Sequence, residues 1–302
     1  MNASAIAVAT LAATRIAVAQ TSHTMWLAAN AHGVAAPILR LQRQGTPITL
    51  VGVMHYNPAS CELVRSTILE EPALGAVCVE LCDARFNATI ASKWRRGPSF
   101  ERTFFEDEAQ IAFEAAQDAA GLGVVLADQP IGETARRSAD LLLATARDVL
   151  TPGGWQRIAA DLTSGAAELL DGGGGLRPAD ALLNGALLRG APLAVARYLA
   201  ASPPAAILLV GALLTLDALL AAIAVDTSVV GLPERAAEIA LVLVVAAAAL
   251  RVVLVALVLE RNDALADAIA REARGGGAVI GVLGMIHMNG VRRRLLESTA
   301  DV

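Results

Sequence analysis

The stretch Ile48–Arg85, ITLVGVMHYNPASCELVRSTILEEPALGAVCVELCDAR, decides how the chain folds. Its β-branched opening, Ile48–Val53, follows Gly45-Thr-Pro47 and runs out at Asn57-Pro58, the pattern of a buried strand entering a loop. Pro58-Ala-Ser60 then opens a helix whose positions Leu63, Val64 and Ile68 keep helical spacing until Glu71-Pro72 stops it. Ala76–Leu81 reads as a second strand, the pleat turning Val77, Val79 and Leu81 to one face and Cys78 and Glu80 to the other. Strand, helix, strand over about thirty residues is the βαβ unit of a parallel sheet.

Outward from this unit the rhythm continues. A helix is predicted over Phe104–Ala120, ended by Gly121-Leu-Gly123, then a third strand, Val124–Ala127, that delivers Asp128, and a helix from Thr134 to Leu150. Near the far end, Ala278–Arg292 reads AVIGVLGMIHMNGVR, so that Gly284-Met-Ile-His287 echoes Gly52-Val-Met-His55. A strand over Ala278–Leu283 and a short basic helix over Val291–Leu296 are expected there. The predicted fold is α/β, a mostly parallel sheet with flanking helices, assembled discontinuously from residues 45–150 and 260–298. Residues 151–204, broken by Pro152-Gly-Gly154, by the glycines 172–175 and by Gly190, read as a loosely packed helical linker.

Between the two motifs lies the most apolar part of the chain. Ala205–Val225 and Ala236–Leu259 are each long enough for a hydrocarbon core, which takes about 20 helical residues, and 205–259 is read as a transmembrane hairpin inserted before the last strand. Asp217 and Arg251, near the middles of the two limbs, are expected to face each other or a polar gap. Arginines 189, 197, 261, 271 and 274 place the soluble part on the cytosolic, matrix or stromal side of a two-helix membrane protein in contact with lipid. Residues 1–44 form a leader in which Met1–Pro37 is Ala/Thr/Ser-rich and lacks acids, the composition of a mitochondrial or plastid targeting segment.

Composition narrows the function. The mean hydropathy of +0.55 is high for a soluble chain, while a net charge of −5 and a single lysine, Lys93, leave no basic surface for nucleic acid. Cys61, Cys78 and Cys82 lack the second pair that a zinc cage needs and read as buried reduced thiols. His55, Glu80, Asp128 and His287 each fall at or just after the carboxyl end of a predicted strand, where open parallel sheets gather their functional side chains. Two imidazoles and a carboxylate resemble the ligand set of a catalytic divalent metal that keeps a position open for water. The structural reading stays beside it: Glu80 as a buried partner of Arg85, and Asp128 as a cap of the helix that follows. His23 and His32 carry no assignment, and no HExxH, Gly-x-Ser-x-Gly or phosphate-cradling loop is present.

With these residues aligned, the chain resembles the TraB/PrgY family, part of a wider group that includes the Tiki proteins. The resemblance covers about Pro47–Ser138 and Glu260–Leu295 and rests on Val51-Gly-Val-Met-His55, Ser60, Val79-Glu-Leu-Cys82 with Arg85, and the Glu108-to-Ala116 helix. It continues through Ala127-Asp128-x-Pro-Ile131 with Thr134 and Arg137, Glu260-Arg-Asn262, and Gly284-Met-Ile-His287-Met-Asn-Gly290. It implies a metal-dependent peptidase in which His55, His287 and Glu80 hold a divalent ion of Zn, Mn or Co type. Glu80 is a ligand or the general base, and Arg85, Asp128, Arg137 and Arg261 support the site or orient a peptide or protein substrate. Gln129 stands where the family has arginine, which removes a fixed cation from that position. The alternative is a non-catalytic adaptor at an organelle membrane, with self-association open in either case.

Overall fold

The computed structural model describes residues 36–91, 106–170, 175–177, 184–201 and 232–297, with only the backbone described for 232–239. Five strands form one sheet: β1 (Ile38–Arg43), β2 (Thr46–Val53), β3 (Leu74–Val79), β4 (Val124–Leu126) and β5 (Ala278–Gly284). Their order is β1-β2-β5-β3-β4, with β1 antiparallel to β2 and every other pair parallel. The last strand of the chain therefore lies in the middle of the sheet. Val53 is in register with Gly284, and Val79 with Val282, so the carboxyl ends of β2, β5 and β3 meet on one edge.

Alternation along the strands feeds two cores. Val51, Val53, Val77, Val79, Ile280 and Val282 face α1 (Pro58–Leu69) and, beyond the four-residue α2 (Asp83–Phe86), α3 (Glu108–Ala120). Ile48, Leu50, Ala76, Cys78, Val279 and Leu283 face the opposite side. There they meet Leu265 and Ile269 of a late helix and Leu295 of the C-terminal one. Side-chain-free Gly281 lets that late helix approach closely, since a Cβ on it would stand 2.9 Å from Ile269 Cδ1. All three cysteines are buried and free, as expected of reduced thiols.

Three sequence expectations change. The leader does not extend to residue 44, because Ile38–Arg43 is an edge strand. Its apolar residues are diluted by Arg40, Gln42 and Arg43, and its turn uses Gln44 and Gly45 at φ of 50° and 84° in place of the familiar Asn-Gly. Residues 151–204 are not loosely packed throughout. After α4 (Ile131–Leu150) come α5 (Gly154–Leu169), which buries Ile158, Gly165 and Glu168, and α6 (Gly185–Ala201), which seats Ala186 and Leu187 on Ala59.

The hairpin expectation changes most. Its first limb, 205–225, and Asp217 with it, lie outside the described residues. The second limb begins with α7 (Leu232–Arg251), continues in a wider π-type winding over Val252–Leu259, and runs on as α8 (Glu260–Glu272). Among the described residues this is the one helix long and apolar enough to cross a membrane, and only 28 % of its apolar window is covered. The limb divides at Arg251. Leu241, Leu243 and Leu250 are exposed before it, while Leu254, Val255, Ala256 and Val258 are buried after it. Arg251 itself does not await Asp217. Its guanidinium is taken up by Asp148 of α4 (2.8 Å) and Asp161 of α5 (2.6 Å), because those helices wrap the lower half of the limb. The chain closes with a 3₁₀ turn, Met285–His287, and α9 (Met288–Glu297).

Candidate functional site

The sheet order brings the two Gly-x-x-His motifs side by side although more than two hundred residues separate them. A Cβ placed on Gly284 would stand 3.1 Å from Glu80 Oε2, 3.4 Å from His55 Nε2 and 3.6 Å from His287 Cδ2. The three expected ligands thus converge on a glycine whose missing side chain leaves the room between them. A cavity of about 520 Å³ opens over this point. His55, Glu80, Arg85, Asp128 and Arg261 line it on the polar side, and Tyr56, Tyr198, Ile131 and Leu257 on the apolar side.

Each histidine is held through Nδ1, by different means. His55 Nδ1 pairs with Glu108 Oε1, and the second oxygen of that carboxylate accepts from Tyr56 N at 3.2 Å. Tyr56 reaches this position in the left-handed region, φ 60°, an uncommon conformation for a side chain of its size. Burial alone would lower the His55 pKa, but the charge and hydrogen bond of Glu108 outweigh it and lift it to about 9. The same pairing holds the Glu108 carboxyl below its ordinary range against the opposing effect of burial. His287 Nδ1 lies 2.7 Å from Asn262 Oδ1. The ring is fully buried, and its Nε2 stands 3.4 Å from Glu80 Oε1 without hydrogen-bond geometry.

Glu80 is the hub. Its Oε2 accepts from Gly284 N at 2.6 Å and its Oε1 from Arg261 Nη2 at 2.5 Å. Burial by itself would raise this carboxyl, yet His287, Arg261 and His55 hold it well below the usual carboxylate range. Arg261 also grips Asp128 with two nitrogens, at 2.9 and 2.8 Å, and Arg85 reaches the same carboxylate at 3.2 Å. The partners differ from those expected of a purely structural role: Arg85 contacts the Glu80 carbonyl while Arg261 takes its carboxylate, and Asp128 holds two arginines rather than capping α4. Arg137 is not brought to the cavity; it pairs with Glu260 at 2.7 Å and braces α4 on α8 beside Arg261. Gln129 turns its amide to Thr134 Oγ1.

Three residues at this site carried no sequence assignment. Glu108 reads as an ordinary first-turn acid of α3, and Asn262 as one letter of a longer motif. Glu168 sat in the supposed linker, its one signal being a carboxylate on the buried face of an Ala/Gly-rich helix.

Among the described residues no three His, Cys, Asp or Glu side chains already stand as a metal-ligating group. The donor chemistry nevertheless fits a divalent ion: both rings are tied at Nδ1 by acceptors, as metal-bearing imidazoles commonly are. Nε2 of His287 is moreover a buried nitrogen with no hydrogen-bond partner. Two acceptors as close as that nitrogen and Glu80 Oε1 need a shared cation, either a proton on the ring or a metal. Arg261 would compete with such an ion for Glu80. Comparison with family models, curated proteins and solved structures gives no match to this chain.

Proposed function

We propose that the chain is a membrane-anchored, divalent-metal-dependent peptidase of TraB/PrgY type, acting on peptide or protein substrates. The observation that supports this best is the convergence of His55 and His287 on Glu80 around Gly284, with both rings secured through Nδ1. In this reading the two Nε2 atoms and Glu80 hold the ion. A bound Zn, Mn or Co ion would supply water of lowered pKa and a Lewis acid for the peptide carbonyl. Glu80, kept ionised by its surroundings, would serve as a ligand of that ion or as the general base toward its water. Asp128 fixes Arg261 and Arg85, and the half-exposed Arg85 presents its free N–H groups to a substrate carbonyl in the cavity. Anchorage would come from the exposed part of α7 before Arg251, with 205–225 as the first limb of a hairpin.

Metal content of the purified full chain, compared with the His55→Ala/His287→Ala double variant, tests the reading. Stoichiometric metal in the wild type and loss in the variant are expected; equal metal in both removes it. A second reading, a non-catalytic membrane adaptor, draws on the fact that Arg261 and Arg85 already neutralise Glu80 and Asp128. It predicts no metal and no turnover in either protein.

A further inference from the structure

Behind His287 lies a buried chain of polar contacts that leads away from the cavity into α5. Asn262 Nδ2 donates to Glu168 Oε2 at 2.8 Å, while Asn262 Oδ1 faces His287 Nδ1 at 2.7 Å. Glu168 is 2 % exposed, and its two oxygens are met by Arg293 and, at 2.5 Å, by Arg294, both of α9. Both oxygens of that carboxylate accept, from the two guanidinium groups and from the Asn262 amide. The Asn262 amide must then turn its NH₂ toward Glu168 and its oxygen toward the ring, and His287 must carry a proton on Nδ1. Nε2 is thereby directed to the Glu80 side, as a lone pair where a metal is shared between them and as an N–H where the shared cation is a proton. Gly290 supplies the space for the contact, since a Cβ there would fall 2.0 Å from Asn262 Nδ2 and 2.1 Å from Glu168 Oε2.

We propose that Glu168 is a positioning residue of the site, setting the tautomer and orientation of His287 through Asn262. The placement rests on the metal-site reading above only for its consequence, ion affinity; the tautomer itself stands on the contacts. The relay also explains why α5 and α9, neither of which lines the cavity, are joined beneath it. His55 has no counterpart, because its Nδ1 meets a carboxylate directly.

The experiment uses the full chain in detergent, ¹⁵N-labelled at histidine. Wild-type His287 is expected to show a proton on Nδ1 that exchanges slowly with water. In Glu168→Gln and in Gly290→Ala that proton should exchange at least about tenfold faster while the His55 signal keeps its rate, a selectivity that general loosening of the fold would not give. In a parallel titration Co²⁺ affinity should fall by about ten- to a hundredfold, the usual effect of losing an outer partner of a metal-bound imidazole. A wild-type His287 without a proton on Nδ1 overturns the proposal with no variant needed, and so does unchanged exchange in the folded Glu168→Gln protein. Faster exchange in the variants, with a wild type that takes up no Co²⁺, leaves the relay standing and removes the metal site alone.

Discussion

The two Gly-x-x-His motifs are alike in sequence and unlike in surroundings, and the difference shows how one site is assembled from two kinds of support. His55 follows β2 on a loop, keeps 35 % of its side chain in contact with solvent and is paired with an ion, Glu108. His287 sits in a 3₁₀ turn after the central strand, is fully buried and meets a neutral amide. The glycines differ too. A Cβ on Gly52 would press on the flexible side chains of Met285 and Met288 at 3.2 Å and on the Pro37 carbonyl, whereas a Cβ on Gly284 would enter the space between Glu80 and His55. One motif is tunable by charge; the other is held by packing and a network.

The largest effect should appear on the buried side. Glu168→Ala leaves Arg293, Arg294 and Asn262 without their shared acceptor, and urea unfolding should register a loss of about 3–5 kcal/mol, the scale of a broken buried ion pair. Glu108→Ala, on the half-open side, should cost about 1.5–3 kcal/mol, as for a hydrogen bond to a charged group. Equal losses would dissolve the contrast.

Next come the glycines. Gly284→Ala should cost about 1–3 kcal/mol through overpacking against the Glu80 carboxylate and should abolish metal uptake. Gly52→Ala, which meets methionine side chains that can give, should leave metal uptake intact. Metal analysis of both variants after folding is confirmed by circular dichroism checks this.

The contrast also has a pH signature in the metal-free protein. His55, facing Glu108, Glu80 and Arg85, has its pKa raised from 6.5 to about 9. Its contribution to stability is therefore complete below 6.5 and is lost as pH rises through about 9. Glu80 acts in the opposite sense, contributing above the ordinary carboxylate range and losing that contribution as pH falls. Denaturation midpoints should decline across the alkaline window in wild type and stay flat there in Glu108→Gln; a decline retained in the variant would assign it elsewhere. The smallest change is expected for Tyr56→Asn. Asparagine tolerates a φ of 60° better, offsetting the lost edge-to-face contact with Tyr198 at 6.2 Å, so stability should move by less than about 1 kcal/mol.

Much of the site was legible before the fold. Strand-end residues are conspicuous, because an apolar β-type run followed by a chemically active side chain is a local pattern that His55, Glu80, Asp128 and His287 all obey, the two histidines with a glycine three positions before them. Arg261 came through the resemblance and lies where that implied. Arg137 did not, because a salt bridge to Glu260 satisfies it before it reaches the cavity. Glu168 was illegible for the opposite reason: nothing near it in sequence distinguishes it, and its partners Asn262, Arg293 and Arg294 lie about a hundred residues away or more.

By itself the sequence determined the alternation of strands and helices, the identity of the strand-end residues and the presence of a long apolar segment, since each depends on neighbours a few positions apart. Only the tertiary structure decided that β5 inserts between β2 and β3, which makes two distant motifs one site. It also decided that Arg251 pairs with α4 and α5, and that half of the apolar segment is core rather than surface. Strand order and ion pairing across hundreds of residues are settled by the packing of whole faces, a quantity that no local window of sequence contains.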